Sequence, residues 1–301
     1  MKKYFFIAAA MLLAATSCTN ESVETEVKNN AEQVTAPVTV RINDFSITTE
    51  DMPSGGGVTR AAQNVTNYDA VKAIDLAFYS GETEVYKHTQ LRTDNTTFTT
   101  FGNFSCNLPV GTYTMVAIAR GYSDGDEFTL TSPTAAGYTS ERVRETFCAT
   151  QSVTVTLTGA NVSVTLNRVM AKLQIASTDN RPSGVSKIRT TYAAGGKSFN
   201  PTTGLATVNN GFSLTNTPSA AVGSTIRVES FLFLATDEQT MNITLEVLDT
   251  DENVLFTRVV PNVPMKRNRC TILRGALFAV EPSAASFQVE TAWQTDHTVN
   301  F

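Results

Sequence analysis

Helical periodicity is what this sequence has least of. Almost no stretch of its 301 residues spaces apolar side chains three and four apart, which excludes helical bundles and alternating strand–helix architectures. Histidine is nearly missing too, with His88 and His297 the only two. A hydrolase that sets a nucleophile beside a histidine is left without material. There is no Cys-x-x-Cys pair to seed a metal site, and no cofactor motif. Lysine and arginine form no cluster interleaved with aromatics, and the net charge is -5, so nucleic acid is excluded as a partner. A single tryptophan, Trp293, together with phenylalanines scattered over alternating runs, reads as core packing rather than a platform for sugar rings.

A membrane-spanning run is also lacking. After Met1-Lys2-Lys3-Tyr4 the chain is apolar over residues 5–15 and turns polar at Thr19-Asn20-Glu21-Ser22, well short of the ~20 apolar residues needed to cross ~30 Å of hydrocarbon. A charged head, a short apolar core and a small-residue exit make residues 1–17 a cleavable secretory signal. Cys18 directly after Ala15-Thr16-Ser17 resembles the lipobox of bacterial lipoproteins, with Ala15 where most carry Leu. That resemblance implies lipid on Cys18 and an outer-membrane location. Residues 18–36 are polar, partly acidic and without apolar period, and read as a disordered tether.

Other chemistry is thin. Ser54-Gly55-Gly56-Gly57 has no following Lys-Ser/Thr and no strand-to-helix setting, so it is a flexible stretch rather than a phosphate cradle. Asp124-Gly125-Asp126-Glu127 and Asp249-Thr250-Asp251-Glu252 have turn composition and read as solvated hairpin tips, and the first lacks the ligand spacing of a calcium loop. Export to an oxidising compartment allows a disulfide, and Cys106 with Cys148 fall in one half of the chain; buried free thiols, Cys270 among them, are the competing reading. No catalytic residue set can be named, and the chain is read as no enzyme.

What is abundant is short alternation of Val, Thr, Ile, Phe and Tyr, punctuated by Gly, Pro, Asn, Asp and Ser. Residues 38–42 alternate cleanly. Residues 73–79 and 84–87 flank Ser80-Gly81 as a hairpin. In Leu108-Pro109-Val110-Gly111 a tight turn is expected, the glycine supplying a positive dihedral, with a buried strand over 112–119 to follow. Strands are also expected over 153–157, 162–175, 186–192, 225–234, 241–248, 254–260 and 269–278, and one short helix over 139–147. Roughly seven strands per half predict an all-β protein of two tandem antiparallel β-sandwich domains, residues 37–163 and 164–301, joined near 159–168. No sequence repeat links the halves.

Several stretches together are similar to the fimbrillin-type pilins of Bacteroidetes. They are the Cys18 signal, Val58-Thr59-Arg60-Ala61, Leu108-Pro109-Val110-Gly111-Thr112-Tyr113, Leu166-Asn167-Arg168-Val169-Met170-Ala171-Lys172-Leu173 and Met265-Lys266-Arg267-Asn268-Arg269-Cys270. The resemblance implies a lipoprotein subunit of a surface fimbria (pilus) with two transthyretin-like domains, supporting adhesion. It implies that an Arg-specific protease removes an N-terminal segment with the first strand, and that a strand of another subunit fills the groove. Carried onto this chain, the removed strand is 38–47 and the cut falls between Arg60 and Ala61, with Arg41 a poorer target inside the strand. The donor comes from 286–301, where Phe287, Val289, Thr291 and Trp293 alternate. The implied partners are other fimbrial subunits, the outer membrane through lipid, and a ligand on a host or bacterial surface. The alternative from another class is a lipid-anchored surface glycan-binding protein.

Overall fold

The structure, a computed structural model, describes residues 34–49, 59–64, 68–92, 100–123, 125, 127–279 and 287–291. Cys18 and the signal, the Ser54-Gly55-Gly56-Gly57 stretch, Trp293 and His297 lie outside the described residues. Among the described residues every regular element is a strand. The first half holds β1 (Thr35–Thr49), β2 (Thr59–Asn64), β3 (Ala73–Ser80), β4 (Thr83–Leu91), β5 (Asn103–Pro109), β6 (Gly111–Arg120), β7 (Phe128–Ser132), β8 (Ala135–Tyr138), β9 (Thr146–Val155) and β10 (Ala160–Arg168). The second holds β11 (Ala171–Ser177), β12 (Lys187–Tyr192), β13 (Ser198–Asn200), β14 (Leu205–Ala206), β15 (Phe212–Asn216), β16 (Arg227–Leu232), β17 (Glu238–Leu248), β18 (Val254–Lys266), β19 (Cys270–Gly275) and β20 (Phe287–Thr291).

Two lobes built on one plan emerge from the pairing. In the first, β1 runs parallel to β10 and antiparallel to β5, and β10 pairs briefly with β9 at Asn167↔Cys148 and Arg168↔Phe147, so that one eight-stranded sheet carries on through β9-β6-β3-β4. In the second, β11 runs parallel to β19 and antiparallel to β16, and faces β15-β12-β17-β18. Seven strands of each lobe follow the same chain order with the same partners, except that β10 also pairs with β9 whereas β19 and β18 lie in different sheets; no sequence repeat announces the likeness. Alternation drives the packing: Val38, Val40 and Ile42 of β1 and Ile74, Leu76 and Phe78 of β3 point into one core, while Leu173, Ile188 and Leu245 belong to the other.

A third core lies between the lobes. It gathers Ala77, Tyr79, Val116 and Ile118 from the back of β3 and β6 with Val169, Met170, Phe199 and Phe233. This is why β3 and β6 are almost continuously apolar: both faces are covered. Above this core the short strands inserted into each lobe pair with one another, in the order β14-β13-β8-β7. The chain crosses between lobes at Val169 and Met170, after β10 has run to Arg168.

Two local expectations differ from what is found. Residues 139–145 form no helix; Val143 is buried in the interlobe core, and the ammonium of Lys197 donates to the carbonyls of Thr139 (3.3 Å) and Ser140 (2.9 Å), satisfying backbone that a helix would have paired. Gly111 has no positive φ. The chain there passes from one part of the eight-stranded sheet to another, since β5 pairs with β1 and β6 with β3 and β9. Glycine leaves room for the Tyr113 hydroxyl, which donates to the Pro109 carbonyl at 2.8 Å; a Cβ on Gly111 would stand 3.3 Å from that hydroxyl.

Candidate functional site

β1, the first strand among the described residues, is an interior one. On one side it pairs with β10 from Val38↔Ala160 to Ser46↔Asn167. On the other it pairs with β5 from Thr35↔Pro109 to Arg41↔Asn103, then with β2 from Asp44↔Asn64 to Thr49↔Thr59. Ala36, Val38, Val40, Ile42 and Phe45 are each 4% exposed or less. Burial of Val38, Val40, Ile42 and Phe45 stabilises by about 1.5–3 kcal/mol each. The outer face is polar: Thr39 donates to the Asn161 side chain, and the Asn43 amide donates to Ser163 Oγ at 2.7 Å. Taking β1 away would bare the facing edges of β5 and β10 together with an apolar slot between them.

One end of this slot is an aromatic cluster. A bulge between Ile42 and Asp44 shifts the alternation so that Phe45, opposite Leu166, points inward. Its ring stacks on Phe147 (centroids 4.6 Å) and meets Tyr68 edge-on (5.7 Å). The Tyr68 hydroxyl donates to Glu145 at 2.8 Å and accepts from Arg168 at 3.0 Å. Arg168 pairs with Glu145 at 2.5 Å and lies over the Phe147 ring at 5.0 Å. Burial, reinforced by the Glu145 carboxylate, raises the Tyr68 pKa above the ordinary phenol value, so this hydroxyl stays a donor. Arg168 also donates to the Asn268 side chain of the second lobe at 3.2 Å. The ring cluster is not visible in the sequence, because Phe45 breaks the alternation and Phe147 lies far along the chain; Leu166, Arg168 and Asn268 appear there only inside longer matching stretches.

The residues singled out from the sequence are placed as follows. Arg60 and Ala61 lie in β2, paired with Thr48 and Ile47, one residue pair in from the hairpin end. β2 has β1 on one side and ends the sheet on the other. Arg41 is exposed within β1. Phe287, Val289 and Thr291 lie in β20, which pairs antiparallel with β19 and ends its sheet. Cys106 and Cys148 are not joined: Cys106 packs against the first lobe's core, whereas Cys148 faces the interlobe core on the other side of β9, and both are free thiols, as is Cys270. His88 is exposed on β4, its ring edge-on to Phe104 at 6.0 Å.

Elsewhere the charges pair off. An open polar cleft of about 630 Å³ lies beside the lobe junction; within it Lys266 meets Glu238 at 2.5 Å and Arg267 meets Asp237 at 2.7 Å. The Asp249 carboxylate closes its own turn, accepting from the Asn253 side chain and from the backbone of Asn253 and Asp251, all at 2.9 Å, and these bonds hold its pKa below the usual range. Among the described residues no group of three or more His, Cys, Asp or Glu is placed to hold a metal.

The profile of a family of unknown function (DUF6562) matches residues 35–300. No curated protein matches the chain. Among solved structures, one of candidate polysaccharide-binding proteins (DUF1812) from Bacteroides thetaiotaomicron is similar at 12% identity, with 85% of this chain and 95% of that one covered and a TM-score of 0.50. The fimbrial anchor protein Mfa2 from Porphyromonas gingivalis is 12% identical, with 86% and 98% covered and a TM-score of 0.48. The tip fimbrial protein Mfa3 from the same species, with C-terminal truncation, is 12% identical, with 86% and 99% covered and a TM-score of 0.40. At such identity the likeness to the first is one of fold alone.

Proposed function

The chain belongs to DUF6562, a family of unknown function, and from that premise we propose that it is a cell-surface fimbrial subunit in which β1 holds a groove for a strand of another subunit. The observation that carries the reading is the position of β1, the first strand among the described residues yet paired on both sides and buried along its inner face. The resemblance of the sequence to fimbrillin-type pilins supports it. Export as a lipoprotein anchored through Cys18 is part of the same reading.

A cut between Arg60 and Ala61 separates β1 from the rest of the lobe. Proteases bind extended backbone, and Arg60 lies in an edge strand near the hairpin end, where fraying of two residue pairs frees it. Once β1 departs, the slot exposes unpaired N–H and C=O groups of β10 and β5, which an added strand satisfies. The donor is the C-terminal segment with Phe287, Val289, Thr291 and Trp293. In place, β20 pairs on one side only, over five residues. In the groove the same strand pairs on both sides and buries its alternate residues, so transfer to another subunit is downhill.

The test is limited digestion of the lipid-free chain, from Thr19 onward, with an Arg-specific protease, followed by N-terminal sequencing and an unboiled denaturing gel. A product starting at Ala61 that runs as a ladder, with both features lost in Arg60→Ala, is the expected result. An uncut or cut but monomeric chain overturns strand exchange, and affinity for a polysaccharide would then favour the glycan-binding alternative.

A further inference from the structure

The slot held by β1 is not uniform. Along β1 it is lined by Leu108, Cys106, Phe104 and Val164, and at one end the rings of Tyr68 and Phe147, with Leu166, close directly on Phe45. Offset and edge-on ring contacts of this kind favour an aromatic guest over an aliphatic one of equal area. The far wall of the enclosure is also a joint of the molecule. Phe147 and Tyr68 carry Arg168, the last residue of β10, and Arg168 reaches Asn268 in the turn between β18 and β19 of the second lobe. Asn268 sits there at φ +57 and donates its backbone N–H to Met170, in the crossing between lobes, at 2.9 Å.

We infer that the Phe45 enclosure is an aromatic socket that recognises Trp293 of the strand donated by a second copy of this chain, and that filling it fastens the join between the lobes. This rests on the strand-exchange reading and adds register and selectivity to it. The register follows from the pairing with β10. Inward positions of β1 fall opposite Ala160, Val162, Val164 and Leu166, and β1 needs its extra residue at the bulge to reach the last of them with Phe45. A regular strand running in the same direction meets these four positions with residues i, i+2, i+4 and i+6. Phe287, Val289, Thr291 and Trp293 have that spacing, which sets Trp293 in the socket. The extra bulk of Phe287 over Val38 then falls opposite Cys106, a small side chain partly open to solvent.

With the socket empty, water reaches Tyr68 and the Arg168–Glu145 pair, and the contact to Asn268 loses the support of its packed neighbours. Occupancy of the groove is thereby reported at the lobe junction by a continuous set of packed side chains.

The experiment uses the lipid-free chain cut with the Arg-specific protease, and it reads two signals as the ladder forms. Trp293 is the one tryptophan in the chain, so its emission should shift to the blue as subunits join. Trp293→Phe should keep the ladder, and Trp293→Ala should slow its formation by about tenfold or more, the effect of losing an interface hot spot; the melting temperature of each uncut variant checks that it folds. Amide exchange at Val169 and Asn268 should quicken when β1 leaves and slow again in the ladder, with Trp or Phe but not Ala at 293. A ladder that forms equally fast with Ala, with unshifted emission from the unsubstituted chain, overturns the socket and leaves strand exchange standing. Unchanged exchange at Val169 and Asn268 overturns the link to the lobe junction. No ladder from the unsubstituted cut chain overturns strand exchange, and the socket with it.

Discussion

Phe147, Cys148 and Ala149 are consecutive on β9, and alternation turns the first and third toward the core of the first lobe and the second away from it. That one step separates Cys148 from Cys106. The sequence shows two cysteines in one half of the chain but not which face of each strand is covered, so their pairing was not legible. The lipid-free chain should therefore titrate three thiols in denaturant without reductant, measured with a chromogenic disulfide; a bridge would leave one. Burial pushes the Cys148 thiol from 9.0 up to about 12, and Cys270 up to about 11. The fold thus favours the protonated thiols. The stability they contribute is complete below the unfolded value and is lost as pH rises through the folded one, so Tm should fall above about pH 9. Cys148→Ala should make that fall shallower without abolishing it. Asp75 and Arg120 form a buried pair at 2.8 Å, with Thr89 donating to the same carboxylate. Asp75→Ala leaves a buried cation and should cost about 3–5 kcal/mol in a urea titration.

Strands were the legible elements. Alternation and Gly-Ser punctuation located β1, β3, β4, β6 and most of the second half, because period two is written in the residues themselves. What alternation leaves open is the partner. The run 108–111 reads as a tight turn, but the strands it joins do not pair with each other: β5 pairs with β1 and β6 with β3 and β9, a choice made by those partners rather than by the turn's own residues. The hairpin of β9 and β10 shows the same dependence. Gly159 has φ +91, and a Cβ there would lie 2.2 Å from the Pro37 carbonyl oxygen of β1. Gly159→Ala should destabilise the chain by about 1–3 kcal/mol. It should also speed release of β1 from the chain cut after Arg60, as followed by size-exclusion of the freed peptide; unchanged release would mean that this contact does not hold the strand.

The whole molecule is two seven-stranded lobes locked through a shared apolar core, and that core predicts a single unfolding event. Phe233 is fully buried there, stacked on Phe199 at 4.4 Å. Phe233→Ala should cost about 3–5 kcal/mol. It should also lower the urea midpoint of exchange-protected amides in both lobes together, Val116 in the first and Leu245 in the second; a shift in one lobe alone would show that they unfold separately. Residue pattern by itself determined that this protein is all-β and where many of its strands run; it gave roughly seven strands per half where the described residues hold ten, because the additional short strands carry too little alternation to show. Class and strand position are local properties, set by side-chain type and spacing along a few residues. Tertiary structure alone decided that the first strand lies inside its sheet, that first and last strands run parallel in each lobe, and that Phe45 ends in an aromatic enclosure tied to the lobe junction. Those features join residues about a hundred positions apart, and a two-residue period is the same whichever strand lies alongside.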